Sequence, residues 1–322
     1  MGTREQGPAV GRPVDGGPLV EPVVSVRGLR MSYGSADVLT GVDLDVHAGE
    51  VVCLLGPNGA GKTTTIEILE GFRLPSAGEV RVFGVDPAGG GDDWRARIGI
   101  VLQSWRDHAR WSPRRLLEHL GGYFTPYSTP ATTRPYPVEW LLETVGLADS
   151  ADRKIATLSG GQRRRLDVAV GIVGRPELLF LDEPTAGFDP QARRDFHDLV
   201  HRLSDLEGTS ILLTTHDLAE AERLADRILI LAAGRIVADG SAEALTRQVA
   251  ATSEVRWVSD GERFVHPTDD PAGFVRRLFE QDGDRVTDLE VRRASLEDTY
   301  IAMVQRFESG DRTAPALLEV SR

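Results

Sequence analysis

The chain has 322 residues, of which 41% are hydrophobic and 27% are charged, a composition typical of a globular protein with a sizeable core. Its longest apolar runs, such as residues 228–233, are far shorter than the roughly 18 to 20 residues that a membrane-spanning helix needs, so we expect no such helix. The formal charge of −12 disfavours the general attraction to phosphate on which nucleic-acid binding usually depends, and no nucleic acid is expected as a partner.

The first 22 residues are rich in glycine, proline and charge, and they contain no apolar stretch like that of a signal peptide. We expect a disordered, unprocessed tail over residues 1–22. The single cysteine, Cys53, lies inside the apolar run VVCLL and is predicted to be a small buried hydrophobic residue. With no partner for a disulfide, it suits a reducing cytoplasm.

Short apolar runs alternate with helical patterns over residues 23–240, which predicts an α/β domain with a largely parallel central sheet. The pattern changes over about residues 104–165, where helical stretches surround a loop rich in proline and threonine and indicate a helical insertion. Residues 241–322 are predicted to form a small α+β appendage. The predicted strands are residues 22–29, 39–46, 50–56, 79–84, 98–103, 177–183, 209–216, 227–240, 254–259 and 286–293, and the appendage helices are residues 241–250, 271–283 and 295–307.

The segment GPNGAGKTTT begins at Gly56, directly after an apolar strand and at the start of a predicted helix. It fits the pattern G-x-x-x-x-G-K-[ST], in which glycine-rich backbone and a helix N-terminus direct N–H groups at a polyphosphate. Lys62 is predicted to reach the β- and γ-phosphates and Thr63 to hold Mg²⁺. Only two of the 37 basic residues are lysines, so a lysine at this place indicates that a compact ammonium is needed. The predicted phosphate-binding residues are Gly56, Pro57, Asn58, Gly59, Ala60, Gly61, Lys62, Thr63 and Thr64.

The run LLFLDE, residues 178–183, is an apolar strand that ends in two acids. Ligands gather at the carboxyl ends of parallel strands, which makes Asp182 a candidate Mg²⁺ ligand and Glu183 a candidate for polarising an attacking water.

Residues 157–170 read TLSGGQRRRLDVAV, in which Ser159, Gly160 and Gly161 open a helix and offer a hydroxyl and closely approaching N–H groups to a second phosphate. The three arginines at 163–165 are interpreted as the solvated face of that helix rather than as a nucleic-acid patch.

These motifs, in their order along the chain, resemble those of the ATP-binding cassette (ABC) ATPases over roughly residues 23–240, and LSGGQ is the signature of that family. The resemblance implies a P-loop NTPase fold with a RecA-like core, an antiparallel β subdomain and a helical subdomain. It further implies that ATP and Mg²⁺ are bound, that Tyr33 stacks on adenine, and that Gln103 senses Mg²⁺ and the attacking water. Asp189 is placed in the loop that joins two sites, and His216 is placed at the γ-phosphate.

In the resembled family, two cassettes pack head to tail, and the LSGGQ segment of one covers the ATP held by the other. This implies a partner, either a second copy of this chain or a homologous ATPase, and it explains why one chain carries two phosphate nests. Ser159, Gly160, Gly161 and Gln162 are then predicted to contact the partner's nucleotide.

Phe188 in TAGFDP and the tail segment at residues 292–303 are similar to the corresponding parts of ABC-2-type exporter ATPases, including drug-resistance subunits. That similarity implies a separately encoded transmembrane permease and a location at the cytoplasmic face of the membrane. Exposed aromatics in the helical insertion, Trp105, Trp111 and Tyr123, are candidate anchors for the permease.

The alternative function is that of a soluble ABC ATPase acting on DNA or ribosomes. Such proteins usually fuse two cassettes or insert a long coiled coil before the signature, whereas only 95 residues separate Lys62 from Thr157 here and they contain no heptad run. The sequence therefore favours an exporter ATPase. The transported compound cannot be deduced from it, because the cargo contacts the permease.

Overall fold

A computed structural model describes residues 21–101, 108–185, 187–205, 207–249, 253–259, 261–268, 270–292, 297 and 300–301. Several sequence-based expectations lie outside these residues: the tail as far as residue 20, Gln103, Trp105, and most of the helix predicted at 295–307. In the described part of the chain, no helix is both long enough and apolar enough to cross a membrane.

Strands and helices are interspersed over residues 24–240, with three consecutive helices in the predicted helical insertion. The strands are β1 Val24–Tyr33, β2 Ala36–Val46, β3 Val51–Leu55, β4 Ala77–Val82, β5 Ile98–Val101, β6 Leu178–Asp182, β7 Ser210–Thr215, β8 Arg227–Ala232, β9 Arg235–Gly240, β10 Ser253–Ser259, β11 Glu262–Thr268 and β12 Val286–Arg292. The helices are α1 Lys62–Leu69, α2 Asp92–Arg95, α3 Pro113–Gly122, α4 Val138–Thr144, α5 Gly160–Ile172, α6 Pro190–Asp205, α7 Leu218–Leu224, α8 Ala242–Val249 and α9 Pro271–Asp282.

The central sheet has six strands in the order β5-β6-β7-β3-β8-β9, parallel except for β9, which runs antiparallel to β8. Every residue of β3, β6 and β7 is buried, which is typical of parallel strands covered on both faces. Cys53 in β3 is fully buried, as predicted. The stretch 227–240, predicted as one strand, is a hairpin that turns at Ala233 and Gly234, both with positive φ.

Alternation along β3 divides its side chains between two cores. Val51, Cys53 and Leu55 join the cluster formed with the helices of the insertion and with α6, whereas Val52 and Leu54 join the cluster formed with β1, β2 and α1. The second cluster also contains the inner face of a three-stranded antiparallel sheet in the order β2-β1-β4. One five-residue strand thus holds the antiparallel sheet on one side and the helical unit on the other.

Helices α3 and α4 lie in the predicted helical insertion and bury paired leucines, Leu116 and Leu117 in α3 with Leu141 and Leu142 in α4. Trp111 was expected to be exposed, but it is only partly accessible and packs against this core, with its ring in edge contact with that of His119. The ring of Tyr123 is 64% exposed.

The C-terminal region contains a second antiparallel sheet in the order β11-β10-β12, with α9 packed against β10. Strand β11 was not predicted, because its sequence ERFVHPT lacks the apolar alternation that marks β10. Two ring contacts join β11 to its neighbours: Phe264 stacks on Trp257 of β10, and His266 stacks on Phe274 of α9.

Helix α5 contacts β5 through two glycines. A Cβ atom added at Gly171 would lie 2.4 Å from Val101 Cγ2, and one added at Gly99 would lie 2.3 Å from the Gly171 carbonyl oxygen. The helix backbone therefore rests directly on the strand, with no room for a side chain between them.

Because this contact is so close, Gly171→Ala is expected to destabilise the protein by roughly 1–3 kcal/mol, the usual cost of overpacking. The matched control is Gly122→Ala at the end of α3, where no atom lies within 4 Å of an added Cβ and where alanine favours the helix. Urea unfolding of both variants tests the contact, and equal stabilities of the two would contradict it.

Candidate active site

The glycine-rich loop connects β3 to α1 and closes around the side chain of Lys62. The ammonium of Lys62 donates hydrogen bonds to the carbonyl oxygens of Gly56 at 2.8 Å and Pro57 at 3.2 Å, and the residue is only 5% exposed. Gly59 and Gly61 have φ values of 82° and 105°, which side chains rarely adopt. The loop thus has the conformation that the motif requires, with a buried cation at the start of α1.

Asp182, the last residue of β6, lies beside the first turn of α1. Its Oδ2 accepts a hydrogen bond from Thr63 Oγ1 at 3.0 Å, and its Oδ1 accepts one from Thr214 Oγ1 at 2.5 Å. A carboxylate and a hydroxyl are the hard oxygen ligands that Mg²⁺ prefers. The residues present therefore fit the predicted metal, with Thr63 and Asp182 able to hold it.

Glu183 lies next to both Lys62 and His216, two of the residues predicted to surround the terminal phosphate. Its Oε1 is 3.5 Å from Lys62 Nζ and 3.3 Å from His216 Nδ1. The backbone of Glu183 has φ 44°, unusual for a residue with a side chain, and its N–H donates to Thr214 Oγ1 at 3.0 Å. Strained backbone of this kind persists where surrounding contacts fix it, often at functional sites.

Two other predicted site residues are engaged locally. The Asp189 carboxylate accepts hydrogen bonds from the N–H groups of Gln191 and Ala192, and so caps helix α6. The ring of Tyr33 at the end of β1 is 43% exposed, with the Arg73 guanidinium 5.1 Å from its centre. Its stacking on adenine remains a prediction.

Residues 158–162, here called the signature segment, lead into the first turn of α5. Ser159 Oγ accepts from the Gln162 N–H, and the Gln162 side chain accepts from the Ser159 N–H, which is a reciprocal capping box. Ser159 and Gly160 are exposed, and added Cβ atoms at Gly160 and Gly161 meet no atom within 4 Å. Within the described ranges, no hydrogen bond joins this segment to residues 56–64.

Arg164 corrects one sequence-based expectation. It was assigned to a solvated helix face, yet it is only 8% exposed, and its Nε donates to the Pro184 carbonyl at 2.9 Å. It lies on one helix face with Val168 and Ile172, both buried, so helical periodicity could have revealed its burial. Burial lowers the pKa of Arg164 and raises that of neighbouring Asp167 to about 6.

Sequence reasoning also missed a buried acid, Glu220 in α7, which is only 3% exposed. Its two carboxylate oxygens accept hydrogen bonds from Thr185 Oγ1 at 2.7 Å and Thr215 Oγ1 at 2.6 Å. Burial raises its pKa. It joins the loop after Glu183 to the end of β7, and no short motif in the sequence marks it.

A family model described as ABC transporter matches residues 39–186. The daunorubicin/doxorubicin resistance ATP-binding protein DrrA of Streptomyces peucetius is 36% identical over 307 residues, covering 87% of this chain and 92% of that protein. The chain belongs to the ABC transporter family of ATP-binding proteins.

Other known proteins support this family assignment. The chain is 41% identical over 231 residues to the Nod factor export ATP-binding protein I of Ralstonia nicotianae, covering 71% of this chain and 70% of that protein. It is similar to a solved ATP-binding subunit of an ABC transporter, with a TM-score of 0.63, 26% identity, and coverage of 87% of this chain and 99% of that one. It is also similar to the dimeric structure of MJ0796, a bacterial ABC transporter cassette, with a TM-score of 0.58, 25% identity, and coverage of 68% and 98%. The predicted fold class and ATPase class are confirmed.

A second buried acid lies close to the cassette's Asp182. Glu70, at the end of α1, is 6% exposed, and burial raises its pKa to about 8, with further contributions from the negative charges of Asp182 and Glu67. The fold therefore favours the protonated form of Glu70. The contribution of Glu70 to the free energy of unfolding should then be largest below about pH 4.5 and decrease as the pH rises towards about 8.

Glu70→Gln removes this ionisation and should flatten the pH dependence. Between about pH 5 and about pH 8.5, the wild type is expected to lose more stability than the variant, by about 1.4 kcal/mol for each unit of the pKa shift. Urea unfolding in buffer free of nucleotide and Mg²⁺ measures the difference, and Glu118→Gln at an exposed position of α3 is the control. Parallel pH profiles for the wild type and Glu70→Gln would contradict the assignment.

Proposed function

We propose that this cassette binds and hydrolyses Mg-ATP to drive a membrane exporter of the ABC-2 type, whose permease is a separate chain. The observation that carries the proposal is the meeting of Lys62 and His216 at one oxygen of Glu183, beside the Thr63 and Asp182 pair. The names of the relatives from Streptomyces and Ralstonia refer to drug resistance and to export. They support this function and not the alternative of an ATPase acting on DNA or ribosomes.

Each residue has a proposed role at the nucleotide. Lys62 exchanges its loop carbonyls for phosphate oxygens, while Glu183 orients and polarises the attacking water and His216 contacts the terminal phosphate. Thr63 and Asp182 would hold Mg²⁺, with Gln103 as a further predicted ligand, and the ion would supply positive charge against the phosphates. Tyr33 contacts the adenine.

The exposed start of the signature segment supports a proposed assembly. Since Ser159 and Gly160 are exposed at a helix N-terminus, and since a Cβ added at Gly160 or Gly161 would meet no atom within 4 Å, we propose that residues 159–162 cover the nucleotide of a second cassette, with Asp189 in the loop between the two sites. Residues 23–240 would form the nucleotide-binding domain and residues 241–322 an accessory region. The pair docks on the permease at the cytoplasmic face of the membrane.

Glu183→Gln separates binding from turnover. Because Lys62 and the loop remain intact, ATP binding should persist, while turnover falls by roughly 10² to 10⁴, the usual loss when a general base is removed. Binding is measured with a fluorescent nucleotide and turnover by phosphate production in the presence of the permease. Lys62→Ala, which should lose binding as well, is the control. Near-normal turnover in Glu183→Gln would exclude the role.

Mixing two inactive chains tests whether the signature segment acts on its partner's nucleotide. A Lys62→Ala chain and a Ser159→Arg chain should each be inactive. In a mixed dimer, both lesions fall in one composite site, and the other site pairs an intact loop with an intact signature. Random pairing makes about half of the dimers mixed, so roughly a quarter of wild-type activity is expected if one site works alone, and it should rise with protein concentration.

The control places both lesions in one chain and mixes that chain in excess with wild type. Each composite site of such a heterodimer contains one broken element, so no activity is expected from it. If the wild-type chain keeps its full activity in confirmed heterodimers, the signature segment serves its own chain, and the proposed arrangement is wrong.

A further inference from the structure

Two cavities meet beside the catalytic glutamate. The first, about 220 Å³, is lined by Glu183 and His216 among others, and we call it the catalytic cavity. The second, about 270 Å³, lies between α6 and α7, and its lining includes three arginines; we call it the arginine cavity. Arg193 and Glu220 line both cavities and form their shared wall.

The arginine cavity is lined by apolar residues, among them Phe188 and Ala219, by Glu220, and by three arginines that make up most of its charged lining. Arg194 donates to the side-chain oxygen of Gln191, a neutral partner, at 2.6 Å, and within the described residues Arg223 has no ion pair. The buried His197 also lines the arginine cavity, and its Nε2 has no hydrogen-bond partner in the part of the chain that the structure describes. Burial lowers the pKa of His197, and the nearby guanidinium groups of Arg223 and Arg193 lower it further.

The acidic groups on either side of Arg193, Glu220 and Asp217, are already engaged. Glu220 accepts two threonine hydroxyls, one at each carboxylate oxygen. Asp217 pairs with Arg193 at 3.1 Å, but both side chains are more than a third exposed, and exposed ion pairs of this kind are weak. Arg193 can therefore exchange Asp217 for another anion, whereas Arg194 and Arg223 are available without breaking an ion pair.

We propose that the arginine cavity binds the inorganic phosphate that ATP hydrolysis releases, on its way out of the catalytic cavity. The phosphate is formed beside Glu183 and His216. One guanidinium group, that of Arg193, lies in the shared wall, and those of Arg194 and Arg223 lie beyond it. Guanidinium groups are strong ligands for phosphate oxygens. The cavity is smaller than a typical pocket for a drug-sized ligand, and it suits a small anion.

The proposed route rests on the proposed function, because a signature segment from the partner covers the front of the nucleotide. With that side closed, the product phosphate needs a second exit. Arg193 lies at the wall between the two cavities and can pass the anion from one to the other. Arg194 and Arg223 then hold it at the outer side, where both residues are exposed.

Equilibrium dialysis with radioactive inorganic phosphate tests the site on the full nucleotide-free chain. All proteins carry Lys62→Ala, which weakens phosphate binding at the glycine-rich loop. In this background, saturable binding is expected, and Arg194→Gln or Arg223→Gln should weaken it about tenfold, the effect of losing one charged hydrogen bond. Arg202→Gln, an exposed arginine of α6 outside this cavity, is the matched control and should bind like the parent.

Arg223→Lys is a second variant, and because it keeps the charge without the planar guanidinium it should give an intermediate affinity. Absence of saturable binding, or equal affinities in the Arg194→Gln, Arg223→Gln and Arg202→Gln chains, would overturn the proposal. Because these measurements need no hydrolysis, they decide the phosphate site even if the chain proves inactive as an exporter ATPase.

A kinetic measurement tests the exit role in the assembled transporter with Lys62 intact. Hydrolysis is followed by rapid quenching, and phosphate release is followed with a fluorescent phosphate sensor. We expect Arg223→Gln to release phosphate severalfold more slowly relative to hydrolysis, and Arg202→Gln to match wild type. An unchanged ratio in Arg223→Gln would refute passage through the arginine cavity.

Discussion

The register of three neighbouring parallel strands controls the geometry of the site. Leu55 at the end of β3 pairs with Thr215 of β7, and Asp182 at the end of β6 pairs with Thr214 of the same strand. The glycine-rich loop, the acidic pair and the segment leading to His216 therefore all leave the sheet at one edge. Because side chains alternate between faces with every residue, a slip of one residue would turn Asp182 away from Thr63.

Buried polar groups at this edge are stabilised by sharing partners. The hydroxyl of Thr214 donates to Asp182, and the same oxygen accepts the N–H of Glu183. This single side chain thus orients the carboxylate beside the first turn of α1 and fixes the strained backbone of the next residue. An unpaired buried carboxylate is costly, so the hydroxyl partners of Asp182 and Glu220 are part of what keeps these charges inside the protein.

The central strands could be predicted from the sequence because a continuous apolar run or a short motif depends only on neighbouring residues. The predictions were wrong where the burial of a residue depends on a partner that is distant in the chain. The three arginines of α5 look alike in sequence, yet Arg164 is buried because the Pro184 carbonyl, from another element, faces it. Strand β11 has little apolar character of its own. Its rings stack on Trp257, which precedes it in the chain, and on Phe274, which follows it.

Helix α5 combines an exposed first turn with a buried middle. Its first turn presents Ser159 and Gly160 to solvent, whereas Arg164, little more than one turn later, donates to the carbonyl next to Glu183. Further along, Gly171 brings the helix backbone against β5, with no space for a side chain. Because the middle and the far end of α5 both pack on the core, the orientation of the signature segment depends on the same sheet that positions Asp182 and Glu183.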